Sequence, residues 1–147
     1  MEDESSGKKK ADKGEDGVRK IKFRAFLKSN QKMYDVLTLD IIDKKALIEN
    51  TDNKKRPLRG YVKMSEIELM QYTGLKDRNG QEIYEGDIVR HKYGPQILMR
   101  VAWDDEYPGF GTFGKYNGEP YVGYVKSSCE VVGNIYEHPE LLEAHNV

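Results

Sequence analysis

Scarcities define this chain of 147 residues first: it has one cysteine, three histidines and one tryptophan, no apolar run long enough for a bilayer span, and no excess of charge of either sign. A single thiol, Cys129, cannot close an internal disulfide, so this is not a small disulfide scaffold. The histidines, His91, His138 and His145, stand at no ligand spacing from one another or from Cys129, which leaves no zinc motif. With 24 basic against 25 acidic side chains the net charge is -1, so the whole chain exerts no general pull on nucleic acid or anionic lipid. The opening MEDESSGKKK is acidic at its start and lacks the hydrophobic stretch of a secretory signal. A reducing, cytoplasmic location is therefore expected, with no membrane partner.

What is present is enough for one folded body. A chain of 17.0 kDa can bury a core without metal or disulfide. Its 33% charged residues and mean hydropathy of -0.79 raise the question of whether all of it folds, and the distribution of charge answers. Residues 1–20 hold six basic and six acidic side chains and only Met1, Ala11 and Val18 as apolar ones. Such a segment cannot offset its ordering entropy, and a disordered tail is predicted there. Its interleaved Asp and Glu cancel the field of Lys8, Lys9 and Lys10.

From residue 21 the pattern has period two. Ile21, Phe23, Ala25 and Leu27 alternate with Lys22, Arg24, Phe26 and Lys28, which predicts a half-buried strand with Phe23 inward and Phe26 outward. Residues 33–42, rich in β-branched and aromatic types, and 44–49 predict further strands, and the charged stretch 50–60 with Pro57 and Gly60 predicts a linker. In residues 65–74 a capping box of Ser65 and Glu68 competes with a strand, and the strand is preferred because Thr73 and Gly74 stop any helix within two turns. Asn79-Gly80 predicts a hairpin turn. Strands then recur at about ten-residue spacing around residues 88–93, 96–103, 111–116, 120–125 and 129–136, with one helical turn at most over 138–147. The expected fold is mainly β: an N-terminal β-rich subdomain (21–49), the linker, and a small barrel-like, SH3-like C-terminal part (61–137) whose closure would remove exposed edges.

MQYTGLKDRNGQEIYEGDIV (residues 70–89), the opening KIKFRAF (20–26), Lys32-Met33-Tyr34 and the closing VVGNIYEHPELLE (131–143) together resemble the YopX family of bacteriophage and prophage proteins. The resemblance runs across the chain after residue 19; the charged tail departs from it. It implies a predominantly β fold, a phage or prophage origin and action in the bacterial host cytoplasm. It implies no catalytic residues, because the family carries no known activity.

Searched for chemistry, the residues offer little. Asp104, Asp105 and Glu106 follow a strand, as Mg²⁺-binding carboxylates do in nucleases, with Glu85 and His91 as imaginable partners; a solvated charged turn is the preferred reading. Asp77, Asn79 and Gly80 lack the remaining spacing of a calcium loop and fit a hairpin turn. The fragment GFGTFG (109–114) is followed by no helix that could hold a phosphate, and predicts a bulged hairpin. Cys129 sits in an apolar strand context as a small buried hydrophobe, and His138 is expected to face water. No cofactor, metal or catalytic residue is assigned, and no enzymatic activity is expected.

Aromatics are the positive signal, with ten Tyr and four Phe. Tyr107, Phe110, Phe113 and Tyr116 crowd one turn-rich stretch with Tyr121, the composition of a protein-binding surface. The leading expectation is a phage or prophage accessory protein that binds a host or phage protein through these four residues, with homo-oligomers also expected. The alternative is a nucleic-acid-binding small barrel that uses Lys54, Lys55, Arg56 and Arg59, the one concentrated basic run beyond the tail. A metal-dependent hydrolase at Asp104 and Asp105 ranks last.

Overall fold

The computed structural model describes residues 11–50, 52 and 55–145. Alternating polar and apolar residues become eleven antiparallel strands among them, with one short α-helix and a 3₁₀ turn at Met64–Glu66. None of the described helices is long and apolar enough to cross a membrane. The chain divides into two compact units, one of Lys22–Tyr72 and one of residues 11–21 with 73–145.

The N-terminal unit is built from β1 (Phe23–Leu27), β2 (Lys32–Asp40), β3 (Lys45–Asn50), β4 (Leu58–Lys63) and most of β5 (Ile67–Lys76), in the order β4-β3-β2-β1-β5. Tight turns set the register: Gln31 takes φ 58° and donates its N–H to the Leu27 carbonyl at 2.8 Å, and Lys44 takes φ 53° before β3. Ala25, Ala46, Ile48 and Ile67 form the core, with Leu27, Tyr34, Val36 and Leu39 packed against it. Phe26, expected to point outward, is only 7% exposed. Within the stretch read as a linker, β4 starts at Leu58 and pairs with Asn50 of β3.

In the C-terminal unit the end of β5 turns into β6 (Glu82–Tyr84), with Gly80 at φ 83° in the turn, a conformation that costs glycine nothing. A second sheet holds β7 (Asp87–Arg90), β8 (Leu98–Asp104), β9 (Gly109–Tyr116), β10 (Glu119–Tyr124) and β11 (Glu130–Asn134) in the order β10-β9-β8-β7-β11. This is a four-strand meander with the fifth strand returned beside the first. The sheet is open, unlike the closed SH3-like barrel that the strand spacing predicts, and β10 and β11 are its edges. Pro120 lies within β10 and has no N–H to donate, which suits that strand to an edge. Ile83, Val89, Met99, Val101 and Cys129 make the core.

Two ends of the chain depart from expectation. Residues 1–10 of the predicted disordered tail lie outside the described residues, but residues 11–20 form a small turn-and-bridge structure. Backbone bonds from Asp12 N to the Gly74 carbonyl (2.7 Å) and from Lys20 N to the Asp12 carbonyl (2.9 Å) hold it, and Lys20 pairs with the Asp12 carboxylate at 3.3 Å. Composition misses this because backbone bonds, not apolar burial, do the anchoring. At the other end, α1 (Pro139–His145) runs seven residues rather than one turn, with proline at its start where a missing N–H is harmless. His138 is partly buried instead of facing water: its Nδ1 accepts the Asn134 N–H at 3.2 Å.

Candidate functional site

Strand register places the site. Across β8 and β9, Val101 stands opposite Thr112 and Trp103 opposite Phe110, while on the other face Arg100, Ala102 and Asp104 stand opposite Phe113, Gly111 and Gly109. Across β9 and β10, Val122 and Tyr124 stand opposite Phe113 and Gly111. The first face supplies core: Val101 and Thr112 are buried, and Phe110 packs against the core cluster. Bare glycine backbone on the second face leaves a trough between larger side chains.

That trough is a groove of about 490 Å³, lined by Asp104, Glu106, Tyr107, Phe110, Phe113, Val122 and Tyr124 around Gly109 and Gly111. Tyr107 and Tyr124 are 71% and 73% exposed, so its walls are apolar surface already facing water. The floor depends on Gly111, where a Cβ would meet the Gly123 carbonyl oxygen at 3.2 Å and the Phe113 ring at 3.3 Å. Arg100 holds its guanidinium 5.2 Å from the centre of the Phe113 ring, and Trp103 meets Phe110 edge-on at 5.3 Å. The first contact limits how far the Phe113 wall can shift, while the second lies on the core face. Two smaller hollows, of about 270 and 200 Å³, share Tyr121 and Val122 of β10.

Three of the four predicted aromatics, Tyr107, Phe110 and Phe113, border the groove, Phe110 with its ring packed against the core. Tyr116 does not line it; its ring lies edge-on to Tyr121 at 6.0 Å. Val122 and Tyr124 are the residues that sequence reasoning missed. Their signal was period two: in an antiparallel pair they share the face of Phe113 and Gly111, and the alternating glycines marked a floor as well as a hairpin.

The other candidates resolve into structural roles. Asp104 Oδ1 accepts the N–H groups of Glu106 (2.9 Å) and Tyr107 (3.3 Å), so this carboxylate shapes the β8–β9 turn that carries Tyr107. Among the described residues no three His, Cys, Asp or Glu side chains converge as metal ligands would. His91 Nε2 lies 3.0 Å from Thr112 Oγ1; burial, and then the nearby Lys126 charge, push its pKa below the ordinary histidine value. Cys129 is fully buried, and burial pushes its thiol up to about 11, which leaves it protonated and unreactive near neutral pH.

Of the basic run, Lys54 lies outside the described residues, Lys55 and Arg56 are exposed, and Arg59 forms an ion pair with Glu49. Asp77 is no calcium ligand but a buried anchor. Its Oδ1 accepts the N–H groups of Asn79 (2.8 Å) and Gln81 (2.9 Å), and its Oδ2 that of Val131 (2.9 Å), tying the β5–β6 turn to β11. Asp87, equally buried, accepts the Tyr84 N–H at 2.8 Å.

Known proteins place this arrangement. Among curated proteins, none matches the sequence. The crystal structure of protein EF1440 from Enterococcus faecalis is similar in fold, with a TM-score of 0.54 at 22% identity over 85% of this chain and 99% of that one. Residues 22–143 match the family described as YopX protein. That span includes both sheets and the whole groove, and the chain belongs to the YopX family.

Proposed function

We propose that this protein is a non-enzymatic phage or prophage accessory protein, acting in the bacterial host cytoplasm by binding another protein at the groove and the adjoining free edge of β10. The observation that carries this reading is the pairing of exposed aromatic walls with a glycine floor beside an edge strand. Tyrosine gives large contact area for little lost rotamer freedom, which suits it to a protein interface. An edge strand offers a row of backbone donors and acceptors to an incoming segment, with side-chain specificity supplied from the adjacent face. The two groups best suited to chemistry elsewhere support a binding role: Cys129 is buried and protonated, and His91 is engaged with Thr112.

The test is affinity capture from bacterial lysate with three baits: the wild type, a groove variant (Val122→Asp with Tyr124→Ala) and a control at a distant exposed site (Ile42→Ser). A partner retained by wild type and control and lost by the groove variant supports the reading. Capture that ignores the groove substitutions overturns it. So does groove-dependent binding of single-stranded DNA that falls steeply with salt, which would favour the nucleic-acid alternative.

A further inference from the structure

The groove has an acidic rim, Asp104 and Glu106, and Glu119 stands exposed at the start of the adjoining edge strand β10. A binding site of aromatic walls and negative rim fits an extended segment with an apolar anchor flanked by positive charge. This chain carries such a segment itself. Leu58, at the start of β4, is 72% exposed; Arg56 precedes it, Arg59 and Lys63 follow it, and all three are exposed. Moreover, β4 is the outer strand of the first sheet, as β10 is of the second, so among the described residues each has one side without a strand partner. Long exposed edges of this kind invite pairing with another chain.

We propose that a second copy of this chain occupies the groove, with its β4 laid along β10 and Leu58 set among Phe113, Val122 and Tyr124. This rests on the groove being a protein-binding site, and names the partner. Arg56 of the incoming copy, two residues before Leu58, meets the acidic rim, which steers the encounter and makes it weaken as salt screens the charges. Because β4 and β10 are different surfaces, the contact is heterologous: each copy keeps one free donor strand and one free groove, and assembly continues unless a ring closes. Arg56 of the basic run singled out in the sequence thus gains a role with protein rather than nucleic acid.

Sedimentation velocity across a wide concentration range tests this, using full-length protein. Two double variants are needed, one of the strand (Arg56→Glu with Leu58→Asp) and one of the groove (Glu106→Lys with Tyr124→Lys). All four positions are exposed, and circular dichroism confirms that each variant keeps its fold. The wild type is expected to exceed 17.0 kDa increasingly with concentration. Each variant alone should self-associate roughly a hundredfold more weakly. Mixed in equal amounts, the two should form a one-to-one dimer and nothing larger, since each retains the surface that the other lacks. A wild type that stays monomeric throughout overturns the proposal, as does a mixture that stays monomeric. If only the groove variant loses association, the groove binds some other segment: this occupant is wrong and the reading of the groove stands. If a monomeric wild type still captures a groove-dependent partner from lysate, the self-association alone fails.

Discussion

The two units of this protein are both antiparallel sheets, yet they specify themselves by different means. In the N-terminal unit the core is Ala25, Ala46, Ile48 and Ile67, and its described buried side chains are all apolar. Every buried polar side chain described in the molecule, namely Thr73, Asp77, Asp87, Thr112 and Asn134, falls in the C-terminal unit. There each is engaged: Thr73 Oγ1 donates to the Ile83 carbonyl at 2.8 Å, Thr112 Oγ1 lies 3.0 Å from His91 Nε2, Asn134 Oδ1 accepts the N–H groups of Tyr136 (3.0 Å) and Glu137 (2.8 Å), and the two aspartates hold turns. Hairpins with short connections find their register from the turns themselves. The C-terminal unit must also return β11 to β7 across four strands, and the Asp77 anchor on the Val131 N–H supports that longer-range placement. With the sheet pinned from within, one face of β8–β10 is free to carry the groove.

The largest effects should not distinguish the units. Met99→Ala in one and Ile48→Ala in the other each remove a buried aliphatic side chain and should cost about 2–5 kcal/mol, read by urea denaturation. A much smaller cost at Ile48 would mean that the N-terminal core is loosely packed, and would break the parallel. Next comes the polar anchor. Asp77→Asn turns one acceptor oxygen into a donor facing backbone N–H groups, and should cost about 2–3 kcal/mol in the same assay. The N-terminal unit offers no equivalent position among the described residues. An effect within about 0.5 kcal/mol would remove the central difference between the units.

How far this was readable from sequence follows the same division. The strands of the N-terminal unit follow from alternation, and the Asn79-Gly80 turn from local chemistry, because both signals lie within a few residues. Asp77 was read only as part of that turn. Its bond to Val131 joins residues 54 apart, and no local pattern reports such a partner. Closure of the second sheet was overestimated because strand spacing counts strands without showing which edges meet. For the groove, residue types pointed to Tyr107, Phe110 and Phe113, but Val122 and Tyr124 required the β9–β10 register. Phe26 was misplaced outward because alternation presumes a strand with one dry face, and both Ala25 and Phe26 are buried.

A smaller, pH-dependent difference follows from His91, in the C-terminal unit. Burial, then Lys126, lowers its folded pKa below the ordinary 6.5. Below that value the unfolded chain takes up the proton more readily than the folded one, so stability rises with pH in this window. The contribution is fully present above about pH 6.5 and is lost as pH falls through the folded value. Thermal melts of His91→Gln between pH 5 and 8 should show a flatter dependence than wild type. An unchanged slope would assign the pH response to other groups.

The smallest effect is the sharpest control on the comparison, because it repeats the chemistry of Asp77→Asn in the other unit. Glu68 of β5 pairs with Lys28 at 3.4 Å, and both side chains are well exposed to water. Glu68→Gln makes the same carboxylate-to-amide change, but here solvent replaces whatever the charge loses, and the cost should stay within about 0.5 kcal/mol. Measured side by side in low and high salt, Glu68→Gln should lose what little effect it has as the ions screen the pair, whereas the cost of Asp77→Asn should persist, since a buried anchor is scarcely screened. Equal costs at the two sites would mean that burial does not set the value of these carboxylates, and that the C-terminal sheet keeps its register by some other means.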